Sequence, residues 1–284
     1  MDQKLTGKVA VLTGAGSEVG IGMETALAMA AEGAKIVVND ITKDPDGSWG
    51  ADRVVKEIEK ANGTAVANYD SVASMEGGQN IIKTAIDSFG RIDILVNTAG
   101  NFKSATIVEL TEEGWDAIHN VHLKGLFACS QAAVKEMIKQ GSGGRIVNFT
   151  SIAAYTPDVG PYGPAIAYCA AKAGVLGFTR ELSVEMKEYG ITANCISPAA
   201  VTTLFPMPGG KGPSPEFVAP MVTYLATDEA KDITGQIFNV MVGDIWVLAP
   251  PMQTPGAHQY LHKTGKWTVD ELIQIMPRMV QRYL

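Results

Sequence analysis

Tyr168 and Lys172 stand four residues apart in a stretch, Ala165–Tyr189, that reads as a helix. That spacing puts both side chains on one helix face, one turn apart. An ammonium beside a phenol stabilises the phenolate and lowers its pKa from about 10 toward working pH. Such a tyrosine can act as general acid or base on a hydroxyl or carbonyl. Upstream, the run Asn148-Phe149-Thr150 ends in Ser151, whose hydroxyl could hold a substrate oxygen beside the tyrosine. Alone, Tyr-x-x-x-Lys is a weak signal, since ordinary amphipathic helices produce it by chance.

A second constellation lies near the N-terminus. Thr13-Gly14-Ala15-Gly16-Ser17-Glu18-Val19-Gly20-Ile21-Gly22 follows one apolar run and opens an Ala-rich segment. A glycine-rich turn between strand and helix lets backbone N–H groups approach a pyrophosphate, and the helix dipole favours the anion. Asp40 ends the next apolar run, 18 positions after Gly22. This is near the ~20 expected of a carboxylate that accepts from an adenosine ribose. Such a carboxylate would repel the 2′-phosphate of NADP. No Arg lies in the turn or next to Asp40, and the nearest basic residue is Lys43, so NAD is the expected cofactor. Glu18, unfavourable beside a pyrophosphate, should face solvent.

The elements that must position these groups follow from the pattern. Strand candidates are Lys8–Thr13, Lys35–Asn39, Thr64–Asn68, Ile92–Asn97, Arg145–Thr150, Thr192–Ile196 and Gln236–Met241. Most are near-continuous apolar runs, as expected of strands buried on both faces of a parallel sheet. Helix candidates alternate with them: Gly22–Glu32, Gly50–Ala61, Gly77–Phe89, Glu112–Met137, Ala165–Tyr189 and Glu216–Thr227. The pattern predicts an α/β, doubly wound Rossmann-type domain with a seven-stranded parallel sheet flanked by helices. Ligands then bind beyond the C-terminal strand ends. Thr202–Pro215, rich in Pro and Gly, reads as a mobile loop. We expect the domain to span 1–243, followed by a helical tail at 244–284, packed on the same domain or on a neighbouring subunit. The tail carries a capping box, Thr268-x-x-Glu271, an apolar face at Val269, Leu272, Ile273, Met276 and Val280, and a kink at Pro277.

Composition narrows the class. The chain has 284 residues, 46% of them hydrophobic and 19% charged, with net charge -7. The acidic balance argues against nucleic acid and against anionic membrane as partners. No apolar run reaches the ~18 residues that a membrane span needs. Three scattered cysteines, Cys129, Cys169 and Cys195, form no C-x-x-C pair. With no signal-peptide pattern at the N-terminus, the expected setting is the cytoplasm. His119 and His122 lack a carboxylate or cysteine on their face, so no metal is expected. The partner left is a small-molecule substrate.

In order along the chain stand the glycine turn, Asp70, Asn97-Thr98-Ala99-Gly100, Ser151, Tyr168/Lys172, Asn194-x-x-x-Pro198 and Ile233-Thr234-Gly235. Over residues 5–243 this resembles the short-chain dehydrogenase/reductase family. The resemblance implies that Tyr168 is the proton donor and acceptor. It implies that Lys172 binds the nicotinamide ribose and depresses the tyrosine pKa, and that Ser151 clamps the substrate oxygen. It implies cofactor contacts from Gly14, Gly16, Gly20, Ile21, Gly22 and Asp40. Further contacts would come from Asp70 and Ser71 at the adenine, Asn97, Ala99 and Gly100 along the cofactor, and Pro198 and Val201 toward the carboxamide. Tyr155 and Tyr162 lack a lysine four residues on and are decoys. Family members often pair through the two long helices, so a homo-oligomer, dimer or tetramer, is expected.

The sequence departs from the family pattern in four places. The glycine turn is two residues longer than T-G-x-x-x-G-x-G. The gap from Ser151 to Tyr168 is extended and carries Pro157, Pro161 and Pro164. Thr98 replaces an Asn, and His122 replaces the Asn that helps hold a relay water. An imidazole could substitute there, or His122 could be a partly buried helix histidine bonded to backbone. Val37–Asp40, Ala67–Val72 and Ile118–Leu123 are similar to (3R)-hydroxyacyl-CoA dehydrogenase modules of peroxisomal multifunctional enzymes and their bacterial single-domain relatives. That likeness implies NAD-dependent interconversion of a secondary alcohol and a ketone on a bulky apolar substrate. A 3-hydroxyacyl-CoA comes first and a hydroxysteroid or cyclic alcohol second. A weakly catalytic NAD-binding partner subunit is the alternative that Thr98 and His122 motivate.

Overall fold

Strand β1 (Val9–Thr13) is buried along its whole length. Its side chains alternate between two cores: Ala10 and Leu12 lie in one, Val9 and Val11 in the other. Two-sided burial is the reason for the unbroken apolar run in the sequence. The computed structural model describes residues 3–156, 160–207 and 212–248. Within them β1 is joined by β2 (Lys35–Asn39), β3 (Thr64–Asn68), β4 (Ile94–Asn97), β5 (Gly144–Phe149), β6 (Ile191–Ala199) and β7 (Ile237–Met241). All seven run parallel in the order 3-2-1-4-5-6-7. The order reverses between β1 and β4, which opens a crevice at their C-terminal ends.

The sheet also has an eighth strand, β8 (Asp244–Val247), antiparallel to β7. It is exposed throughout, which is why no buried apolar run announced it. The expected boundary at 243 therefore falls inside the β7–β8 hairpin, and the compact unit runs through Leu248. The tail's expected capping box at Thr268, its apolar face and its kink at Pro277 lie outside the described residues.

Helices cover both faces. Cores form under α1 (Ile21–Ala31), α2 (Gly50–Lys60) and α7 (Ala219–Ala226) on one side, and under α3 (Met75–Phe89) and α5 (Gly125–Gln140) on the other. The stretch expected as one helix over Glu112–Met137 is three pieces. They are α4 (Glu112–His119), a π-helical turn at Asn120–Lys124, and α5. The segment Ala165–Tyr189 gives α6 (Ile166–Glu185) and a 3₁₀ turn at Lys187–Tyr189. α4 and α6 share a further cluster around Ile118, Ala167, Tyr168 and Ala171.

Candidate active site

The C-terminal ends of β1, β2, β3, β4, β5 and β6 converge on a cavity of about 840 Å³. At one end the glycine turn leaves β1. Gly14 adopts φ +64°, and a Cβ there would meet the Ala99 Cα at 2.6 Å. Only glycine satisfies both the left-handed backbone and that approach. Helix α1 opens on Gly20, which offers no side-chain cap, whereas α3 and α4 are capped by Ser74 and Thr111. The first N–H groups of α1 are thus without a capping side chain at the cavity wall, as an anion site requires.

Asp40 is buried at the end of β2. Its Oδ2 accepts from the Gly16 N–H at 2.7 Å and its Oδ1 from the Thr42 N–H at 2.8 Å. The carboxylate is fixed before any ligand arrives, with further lone pairs left to accept from hydroxyls. Beside it the structure places a guanidinium that sequence distance concealed. Arg53, on α2, donates to the Gly16 carbonyl at 2.8 Å and to Asp44 at 3.0 Å. The expectation that no arginine neighbours the turn is corrected here. The Arg53 guanidinium is paired with Asp44, so it is not free to bind a phosphate. Asp70 accepts from Asn68 at 2.9 Å and Asn80 at 3.1 Å, and Ser71 lies next to it on the wall.

At the other end stand Ser151, Tyr168 and Lys172. Ser151 caps a short 3₁₀ turn after β5, and its Oγ accepts from the Ala153 N–H at 3.2 Å. Thr150, behind it, donates to the Lys172 carbonyl at 2.8 Å and so ties β5 to α6. Lys172 Nζ donates to the Phe149 carbonyl at 2.8 Å and lies 5.6 Å from the Tyr168 ring centre. Burial lowers the Lys172 pKa to about 8, so the ammonium still predominates at neutral pH. Burial pushes the Tyr168 hydroxyl up to about 12, and its hydrogen bond with Ser151 pulls the other way. The expected lowering of the tyrosine pKa by Lys172 is therefore corrected for the protein without a ligand. Desolvation is the largest cause, and the Lys172 ammonium donates to the Phe149 carbonyl.

Among the predicted residues, Gly14, Gly20, Ile21, Gly22, Asp40, Asp70, Ser71, Ala99, Gly100, Ser151, Tyr168, Lys172, Pro198 and Val201 all line the one cavity. Gly16 and Asn97 do not. Gly16 lies behind the wall, with its N–H and carbonyl taken by Asp40 and Arg53. Asn97 donates inward to Asn148 at 2.9 Å and Ser130 at 3.3 Å. The Thr98 hydroxyl donates to the Thr13 carbonyl and joins the ends of β1 and β4. Of the decoys, Tyr162 lines the cavity and Tyr155 does not. Glu18 is exposed, as expected.

His122 sits on the π-helical turn, buried, edge-on to Tyr168 at 5.3 Å. Its Nε2 lies 2.8 Å from the Asn101 carbonyl oxygen and 3.2 Å from the Asn101 N–H. A ring nitrogen serves one role in each tautomer. The shorter contact makes Nε2–H the donor and leaves Nδ1 without a partner among the described residues. Burial, then the Lys172 charge, lowers the ring's pKa to about 3, so it is neutral at working pH. His122 is thus buried and bonded to backbone, with Nδ1 facing no partner among the described residues.

Sequence reasoning missed an aromatic wall. Phe102, Tyr162 and Phe205 pack edge-to-face on one another and lie around Tyr168. They come from three separate loops, so no spacing marks them as a group. Among the described residues no group of His, Cys, Asp and Glu is placed to hold a metal ion. No helix among them is long and apolar enough to cross a membrane.

A family model described as short chain dehydrogenase matches residues 8–210. The chain belongs to this family. Members are oxidoreductases acting on CH–OH and keto groups and typically bind a nicotinamide cofactor, so this short-chain dehydrogenase is an enzyme of that class. It is 39% identical to the peroxisomal multifunctional enzyme type 2 of Mus musculus over 252 residues, 86% of this chain. The chain spans only 32% of that protein. It is 41% identical to the 3-oxoacyl-[acyl-carrier-protein] reductase of a Synechocystis strain over 248 residues, 83% of this chain and 96% of that one. Among solved structures, a short chain dehydrogenase from Mycobacterium avium superposes with TM-score 0.86 at 37% identity, covering 98% of this chain and 96% of that one.

Proposed function

We propose that this short-chain dehydrogenase is NAD-dependent and interconverts a secondary alcohol and a ketone on a bulky, largely apolar substrate, first of all a 3-hydroxyacyl-CoA. One observation carries the reading. The Ser151–Tyr168–Lys172 group and the Asp40-bearing turn are two ends of a single cavity. The residues present suit a dinucleotide. Asp40 is buried, fixed and anionic where a ribose would be held, and Arg53 is taken by Asp44 and Gly16. That charge arrangement favours NAD over NADP. The relative named as a 3-oxoacyl-[acyl-carrier-protein] reductase supports an acyl thioester. The aromatic wall favours a second reading, a hydroxysteroid or cyclic alcohol, because the apolar faces of an alicyclic ring system bury well against such a wall.

When bound, the nicotinamide supplies or takes up the hydride. The chain's own residues handle the proton and the position. Ser151 donates a hydrogen bond to the substrate oxygen and holds it by Tyr168. With its pKa near 12, Tyr168 is a protonated phenol at neutral pH and gives its proton to the oxygen of a ketone under reduction. In the oxidative direction its phenolate accepts the hydroxyl proton. Lys172 uses one N–H on Phe149 and has donors left for ribose hydroxyls. Phe102 and Phe205 cover Tyr168 and keep water from the reacting oxygen.

The reading extends to a homo-oligomer paired through α5 and α6, which expose Phe127, Ile138, Ile166 and Val184. It extends also to a reducing, cytoplasmic setting, which the free cysteines support. The test is a screen of purified protein with NAD and NADP against 3-hydroxyacyl-CoAs, steroids and cyclic alcohols, following absorbance of the reduced cofactor. Turnover of a hydroxyacyl-CoA with NAD is the expected result. Turnover with NADP alone, or none with any alcohol, would refute the reading.

A further inference from the structure

The lengthened glycine turn has a second contact that the handling of a dinucleotide does not require. Its extra residues carry Val19 out to 44% exposure, where it meets the loop after β6. The Thr203 N–H donates to the Val19 carbonyl at 2.9 Å. The Thr203 hydroxyl lies 3.3 Å from that carbonyl and 3.4 Å from the Val19 N–H. These residues are 184 positions apart, and both line the cavity.

Two residues beyond Thr203 stands Phe205. Its N–H donates to the Thr202 carbonyl and to the Thr202 hydroxyl, both at 3.1 Å, so the segment 202–205 is one tight turn. The Phe205 ring meets Phe102 at 5.0 Å, Tyr162 at 5.1 Å and Tyr168 at 5.6 Å. Ile152, Leu204 and Met207 complete this end of the cavity, where Lys172 supplies the charge. The Phe205 ring therefore flanks the Tyr168 ring on the wall of the cavity.

We infer that the glycine turn, besides its dinucleotide role, positions the substrate wall. Val19 holds Thr203, Thr203 sets Phe205, and Phe205 determines which groups beside the reacting carbonyl are accepted. The inference rests on the proposed oxidoreductase reading. It extends that reading by making Phe205 a specificity-determining residue and Val19 with Thr203 its positioning residues. A change in the turn would then alter selectivity for the substrate as well as affinity for the cofactor.

The test compares kcat/KM for acetoacetyl-CoA and 3-oxodecanoyl-CoA with reduced cofactor. Three full-length variants are measured: Phe205→Ala, Phe205→Leu and Thr203→Pro. Phe205→Ala should raise the long-to-short ratio about tenfold, the scale on which a hydrophobic pocket discriminates. Phe205→Leu, which keeps apolar bulk, should give a smaller rise. Thr203→Pro, which removes the N–H donor on an exposed loop, should move the ratio in the same direction as Phe205→Ala. Phe205→Ala with the parent's ratio would overturn the inference. So would Thr203→Pro with the parent's ratio, since the tie would then position nothing. A parent chain that reduces neither thioester would refute the proposed acyl-thioester substrate instead, a result distinguishable from an unchanged ratio.

Discussion

The two ends of the cavity are built from different materials. At the turn end, polar groups fix one another through backbone. Asp40 is gripped by two N–H groups, Arg53 by a carboxylate and a carbonyl, and Asp70 by two asparagines. At the tyrosine end, apolar rings from loops lean on one another, with Ser151 and Lys172 as the polar groups beside Tyr168. The first end is preorganised for one charged, polar guest. The second is shaped by packing, which a few side chains can change. Recognition of a common cofactor calls for fixed polar geometry, whereas a choice among substrates calls for a wall that can vary without disturbing the chemistry.

Substitutions at either end test that contrast. The largest effect belongs to Tyr168→Phe, which deletes the proposed proton donor. The kcat should fall about 10³-fold while NAD binding, followed by fluorescence titration, persists. Loss of binding along with turnover would mean the two ends are not separable. Next, Asp40→Ser removes the carboxylate that opposes a 2′-phosphate. The NAD-to-NADP preference should shift about a hundredfold toward NADP, with substrate KM values little changed. An unchanged preference would show that Asp40 does not read the ribose.

The pH profile sharpens the tyrosine end. A Tyr168 pKa near 12 makes the phenolate a minor species at every pH below it. Alcohol oxidation, which needs that phenolate, should rise with pH between 6 and 9, approaching tenfold per unit. Ketone reduction, which needs the protonated phenol, should not rise over that range. Parallel profiles in both directions would contradict the assignment. The smallest effect is at Arg53→Leu, which removes a bond to the Gly16 carbonyl and unpairs Asp44. Cofactor affinity should weaken about tenfold, in line with a lost hydrogen bond to a charged group, and kcat should hold.

The same contrast decides what the sequence disclosed. Tyr168 with Lys172, and the turn with Asp40, are legible because each lies within one or two consecutive elements whose periodicity fixes the geometry. The seven parallel strands are legible because burial on both faces writes unbroken apolar runs. Arg53 escaped notice because its partner Gly16 lies 37 residues away. Phe102, Tyr162 and Phe205 escaped because ring packing between loops leaves no spacing. The position of His122 depends on a π-helical turn inside what reads as one continuous helix. The high Tyr168 pKa depends on how deeply the fold buries the phenol, which residue types alone do not give. Exposed β8 hides because it buries no face against the core.

The central claim is that carbon receives its hydrogen from a bound nicotinamide while oxygen receives its proton from the chain. A ketone substrate reduced with cofactor deuterated at the nicotinamide C4, in ordinary water, tests it directly by mass spectrometry of the alcohol. The account predicts one deuterium, retained on the carbinol carbon. An alcohol without deuterium from either C4 face of the cofactor would contradict it.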